Sequence, residues 1–165
     1  MLPRWVMRLL RREEIDLIEY TPVPRFDFLD VAEQYWQAYK HLPTPANIPI
    51  YWPHYLLMGH AVEMALKAYL LSRVVTLAKL RSKGHRLDKL RRMATAHGLS
   101  LDEDTIRSID KHLGPMHSKL LARYPNYRGG MRNGVVFASE SEAAVERLMT
   151  AVRRAVHPVI VTRHP

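Results

Sequence analysis

The sequence predicts an all-α fold, an up-and-down bundle of about five helices, on three observations. Apolar residues recur at spacings of one, three and four in several separate stretches. Proline- and glycine-bearing segments punctuate those stretches. Only one short stretch has a pattern compatible with a strand, and no internal repeat is present. With 165 residues and 47% apolar content, one domain can bury a substantial core.

Residues 1–25 read as a basic N-terminal arm or a short element packed over the bundle, closed by Thr21-Pro22-Val23-Pro24. The bundle itself is expected over 26–158, with a loose tail at 159–165. Its first helix should run from near Asp27 to about Lys40, with Phe28, Leu29, Ala32, Tyr35, Trp36 and Tyr39 inward. The proline-rich segment from His41 to Pro49 cannot be helical and separates it from the next helix. That second helix should open around Pro53 and continue to about Leu80, with Gly84 ending the segment.

A third helix is expected from Arg86 to His97, with Leu87, Leu90, Met93 and Ala94 inward, a basic outer face bearing Arg91 and Arg92, and Gly98 at its C-cap. Ser100-x-x-Glu103 has the form of a capping box, and Ile106, Ile109 and Leu113 carry the helix it opens until Gly114-Pro115 interrupts it. A cationic, glycine-bearing loop follows from Tyr124 to Val135. Ser139-x-x-Glu142 is a second capping box, opening a last helix on Val145, Leu148, Met149, Val152 and Val156.

The net charge of +9 and pI near 10.0 suit an anionic partner, either RNA or a nucleotide, or an acidic protein. Eighteen arginines against seven lysines suit bidentate phosphate contacts, although a GC-rich genome produces the same bias. The absence of cysteine removes disulfides and thiolate nucleophiles and is compatible with a reducing cytoplasm, the expected location. Arg4 and Arg8 break the apolar N-terminus, so no signal peptide is expected. Glu63, Lys67 and Arg73 break the longest apolar run, so no membrane partner is expected. There is no Gly-x-x-x-x-Gly-Lys phosphate loop, no His-Glu-x-x-His and no local Ser-His-Asp signature, and neither cofactor nor metal is expected.

Within the second helix, Glu63 and Lys67 stand four apart in the favourable order on one face. With His60 three residues earlier and His85 at the start of the next helix, they form a candidate polar cluster in the core, in which His85 caps its helix or hydrogen-bonds Glu63. Three motifs occur in order: Glu63-Met64-Ala65-Leu66-Lys67-Ala68-Tyr69-Leu70, then Gly84-His85-Arg86-Leu87, then Arg123-Tyr124-Pro125. Together, over roughly Phe28 to Val156, they resemble HEPN-domain proteins, helical domains associated with nucleotides and RNA.

That resemblance implies a homodimer and an RNA- or nucleotide-binding role, non-catalytic or weakly catalytic. It also implies two alternatives: a metal-independent endoribonuclease of toxin or defence type, and a dimerisation or partner-binding module, for example beside a nucleotidyltransferase. Ribonucleases of the family carry an Arg, four to six residues, then a His. Arg107 to His112, Arg92 to His97 and Arg91 to His97 have that spacing here, whereas Arg153 to His157 is too short. Only Arg107 is followed by a small polar residue, Ser108, where the family usually has Asn, so Arg107 and His112 are the catalytic candidates. In an α-helix these two would stand about 140° apart. Phosphate contacts are expected from Arg123, Tyr124, Tyr127, Arg128 and Arg132 of the glycine-bearing loop, and from Arg91 and Arg92.

Overall fold

A helix that is apolar around most of its circumference has to sit inside other helices. The segment Trp52–Ser72, α2, does so: Met58, Ala61, Val62, Ala65, Leu66, Ala68, Tyr69 and Leu70 are all fully buried. In the computed structural model, which describes residues 24–43, 52–118 and 138–156, every regular element is helical. Around α2 lie α1 (Pro24–His41), α4 (Leu87–Ala96), α6 (Gly114–Ser118) and α7 (Ala138–Val156). Short α3 (Leu77–Arg81) links α2 to α4, and α5 (Glu103–Arg107) runs through a π-helical turn (Ser108–Leu113) directly into α6. The all-α expectation is met, and none of the described helices is long and apolar enough to cross a membrane.

The inward residues expected of the last helix, Val145, Leu148, Met149, Val152 and Val156, are buried, as are Leu29, Ala32, Trp36 and Tyr39 of α1. Polar side chains then tie α1 to α7 around that core. Trp36 Nε1 donates to Glu146 Oε2 at 2.6 Å, Tyr39 Oη to Glu142 Oε2 at 3.1 Å, and Arg153 grips both carboxylate oxygens of Glu33 at 2.5 and 2.8 Å. Burial, and then the Glu142 carboxylate, push the Tyr39 hydroxyl pKa well up, so Tyr39 stays a donor.

Three local expectations are corrected. The second helix does not reach Leu80: it stops at Ser72, and the chain turns through Arg73 and Val74 before Thr76 caps α3 by accepting from the Lys79 N–H at 3.3 Å. Val74 N–H bonds Leu71 O and Val75 N–H bonds Leu70 O, the pairing of a Schellman motif with Val74 in the left-handed region at φ 63°. A β-branched residue is strained there, and Val74 is 91% exposed, so its side chain contributes no packing in return. Val74→Gly is therefore expected to stabilise the chain by about 1 kcal/mol, read in urea melts, and unchanged stability would show the turn to be unstrained.

The cap of α5 is Asp102 and not Ser100: Asp102 Oδ1 accepts from the Thr105 N–H and Oδ2 from the Thr105 hydroxyl, each at 2.8 Å. A carboxylate directly before the first helical residue outcompetes a hydroxyl two positions earlier. The third correction is at Gly114-Pro115, which does not end the helix. Gly98, by contrast, occupies its expected place after α4 at φ 94°, with the Leu99 N–H bonded to Ala94 O.

Candidate functional site

Proline within a helix has no N–H to donate and crowds the carbonyl four residues back. The helix that carries Pro115 passes it by widening: the Gly114 N–H donates to the Ile109 carbonyl, five residues back. The close approach requires glycine, since a Cβ on Gly114 would stand 2.8 Å from the Ile109 carbonyl oxygen. The wider turn reduces the angle between positions five apart from the about 140° of a regular α-helix. Arg107, Ser108 and His112 consequently line one pocket, of about 360 Å³, with Asp104, and with Ala143 and Arg147 of α7.

The turn is braced from two sides. Arg91 of α4 donates through Nε to Asp110 Oδ1 at 3.1 Å and through Nη2 to Asp110 Oδ2, a bidentate clamp across two largely buried groups. On the other side, Ser108 Oγ lies 3.5 Å from Ser141 Oγ of α7. Arg107 donates to Asp104 Oδ1 at 2.9 Å, but both side chains are mostly exposed, so the pair is weak, and among the described residues the other guanidinium donors have no partner.

Arg147 is aimed at the same pocket by its Nε, which donates to Thr105 Oγ1 at 2.8 Å and lies 3.1 Å from Asp102 Oδ2. The Thr105 backbone N–H, helped by its hydroxyl and by Arg147, holds the Asp102 carboxyl below its ordinary range. His112 Nδ1 is buried and, among the described residues, has no hydrogen-bond partner. A buried polar atom with no partner among the described residues calls for a functional explanation.

A second polar centre lies inside the bundle. Glu63 is fully buried and accepts from three side chains: Lys67 Nζ on Oε1 at 2.5 Å, and His117 Nε2 and His85 Nδ1 both on Oε2, at 2.6 and 2.9 Å. Burial alone would raise its pKa, but the donors from His117, Lys67 and His85 outweigh burial and hold the carboxyl far below the ordinary carboxylate range. His60 completes the group, stacked on Tyr35 with ring centroids 5.0 Å apart and edge-on to His117 at 4.8 Å.

The structure therefore places His60, Glu63, Lys67 and His85 together and adds His117, which follows the Gly114-Pro115 break and had no place in the expected cluster. The i, i+3 and i, i+4 relations within α2 were readable in the chain; that α6 would deliver His117 onto Glu63 was not, because the contact spans 54 residues. Gly59 makes room for it, since a Cβ there would stand 2.5 Å from His117 Nδ1. Arg147, likewise unforeseen, carries no local motif. Of the expected phosphate contacts, Arg92 is exposed on α4, whereas the guanidinium of Arg91 is engaged by Asp110. Arg123, Tyr124, Tyr127, Arg128 and Arg132 lie outside the described residues. Comparison with protein-family models, curated proteins and solved structures finds no match to this chain.

Proposed function

We propose that the chain binds RNA at the Arg107–His112 pocket and cleaves it without a metal ion in the chemical step, as an endoribonuclease of toxin or defence type on a HEPN-like bundle. The observation that carries this reading is the π-helical turn, beside which Arg107, His112 and Arg147 line one pocket. π-Helical turns are costly and concentrate at functional positions.

The chemistry needs few parts. Arg107 and Arg147 hold the scissile phosphate and stabilise the charge that gathers on its non-bridging oxygens. His112 removes the proton from the ribose 2′-hydroxyl, whose oxygen attacks phosphorus as the bond to the 5′-oxygen breaks. The products are a 2′,3′-cyclic phosphate and a 5′-hydroxyl, the latter taking its proton from solvent or the imidazolium. The exposed Arg92 and the arginines between Arg123 and Arg132 supply further phosphate contacts.

The test is incubation of a labelled mixed-sequence RNA in EDTA at low salt with the wild type, His112→Ala and Arg107→Ala. Cleavage should fall by roughly 10²–10⁴-fold in the first variant and by about 10²–10³-fold in the second. Equal cleavage by all three would overturn the assignment. Salt-sensitive binding without cleavage would instead make the chain an RNA-binding module.

A further inference from the structure

We propose that His60, Glu63 and His117 form a binding site for a divalent transition-metal ion of the zinc class, separate from the Arg107–His112 pocket. One potential ligand atom from each of the three side chains lies within 4.8 Å of the others. Ligand atoms on a tetrahedral zinc stand roughly 3.3 Å apart, given bonds of about 2.0–2.1 Å, so small rotations of the side chains close the set on an ion. The donors are two imidazole nitrogens and one carboxylate oxygen, a combination suited to zinc and its neighbours and not to magnesium or calcium.

The placement is that of a built site. His60 and Glu63 stand at i and i+3, on one face of the most deeply buried helix of the fold. His117 comes from α6, and α2 carries glycine at position 59, where any side chain would collide with its ring. A mid-helix glycine costs about 1 kcal/mol relative to alanine, and here it admits one histidine to one carboxylate. Lys67 holds Glu63 Oε1, which leaves Oε2 as the ligand oxygen, while Tyr35 fixes the plane of the His60 ring by stacking.

His85 provides the entrance. Its side chain is 51% exposed, yet its Nδ1 already sits 2.9 Å from Glu63 Oε2, so the one ring reaches from solvent to the centre. Binding requires each imidazole to turn a lone pair to the ion, so the N–H now donated by His117 Nε2 to Glu63 has to move to Nδ1 or leave to solvent. Without an ion, Glu63 is satisfied by hydrogen bonds from Lys67, His85 and His117, so chelation does not unfold the bundle, and the cleavage test in EDTA remains valid.

The experiment uses the full chain, stripped with EDTA and desalted, titrated with zinc by calorimetry and with cobalt(II) by visible absorption. The wild type should take up one equivalent with saturable binding, and cobalt should give the intense visible bands of a tetrahedral site. His60→Gln and His117→Gln should each weaken zinc binding at least about tenfold and abolish those bands. His112→Ala should leave both readouts unchanged, which separates this site from the proposed cleavage pocket. Absence of saturable binding by the wild type, or wild-type affinity in His60→Gln, would overturn the proposal. If His117→Gln fails to fold by circular dichroism, His60→Gln alone decides, because its ring lies at the edge of the cluster.

Discussion

Glu63→Ala is expected to destabilise the chain by about 3–5 kcal/mol, the cost of leaving charged or polar donors buried without their acceptor. For a chain of this length that corresponds to a fall in Tm of roughly 6–20 °C. The reason is the asymmetry of buried polar groups: a satisfied cluster contributes modestly, whereas an incomplete one leaves the remaining members desolvated. Lys67 and His117 are 14% and 3% exposed and would lose their carboxylate together, while the half-exposed His85 can turn to water. Glu63→Gln, which keeps an acceptor oxygen and the side-chain volume, should lose less. Thermal melts of chelated protein decide the matter, and a loss of less than about 1 kcal/mol in Glu63→Ala would show that water enters and replaces the carboxylate.

Gly114→Ala is expected to lower the proposed RNA cleavage by on the order of 10²-fold while leaving most of the helix content in place. Its added methyl would stand 2.8 Å from the Ile109 carbonyl oxygen, a backbone atom that cannot swing aside. The bond from the Gly114 N–H to Ile109 O closes the wide turn, so relieving the clash breaks that bond and changes how Arg107 and His112 stand to each other. Measuring turnover beside far-ultraviolet circular dichroism separates this effect from unfolding. Undiminished cleavage by a folded Gly114→Ala protein would show that the alignment of Arg107 with His112 is not what the reaction uses. Loss of RNA binding alongside cleavage would place the turn in substrate recognition as well.

Most of the helical architecture was legible in the chain because helical periodicity and cap chemistry are local. The inward faces of α1, α4 and α7 follow from spacing alone, and Gly98 marks the end of α4 through its own φ preference. The boundary between α2 and α3 was less legible. Val74 occupies a left-handed position that sequence statistics reserve for glycine or asparagine, and nothing local announces the exception. The cap of α5 was misplaced by two residues because two acceptors, Ser100 and Asp102, compete within one short segment. Gly114-Pro115 has the local form of a helix end. Only the continuation of the chain into α6, packed on α2, makes a wide turn the lower-energy solution.

The sequence by itself determined that this is an all-α chain, that Glu63 and Lys67 share a face of its central helix, and that His60 stands one turn before Glu63. Each of these follows from periodicities of three and four residues, which depend on backbone geometry and on nothing distant. The tertiary structure decided that His117 meets Glu63 across 54 residues and that Arg107, His112 and Arg147 line one pocket. Contacts between elements depend on how helices dock and where a turn widens. Those choices are made by the summed packing of the whole core, which no local window of residues contains.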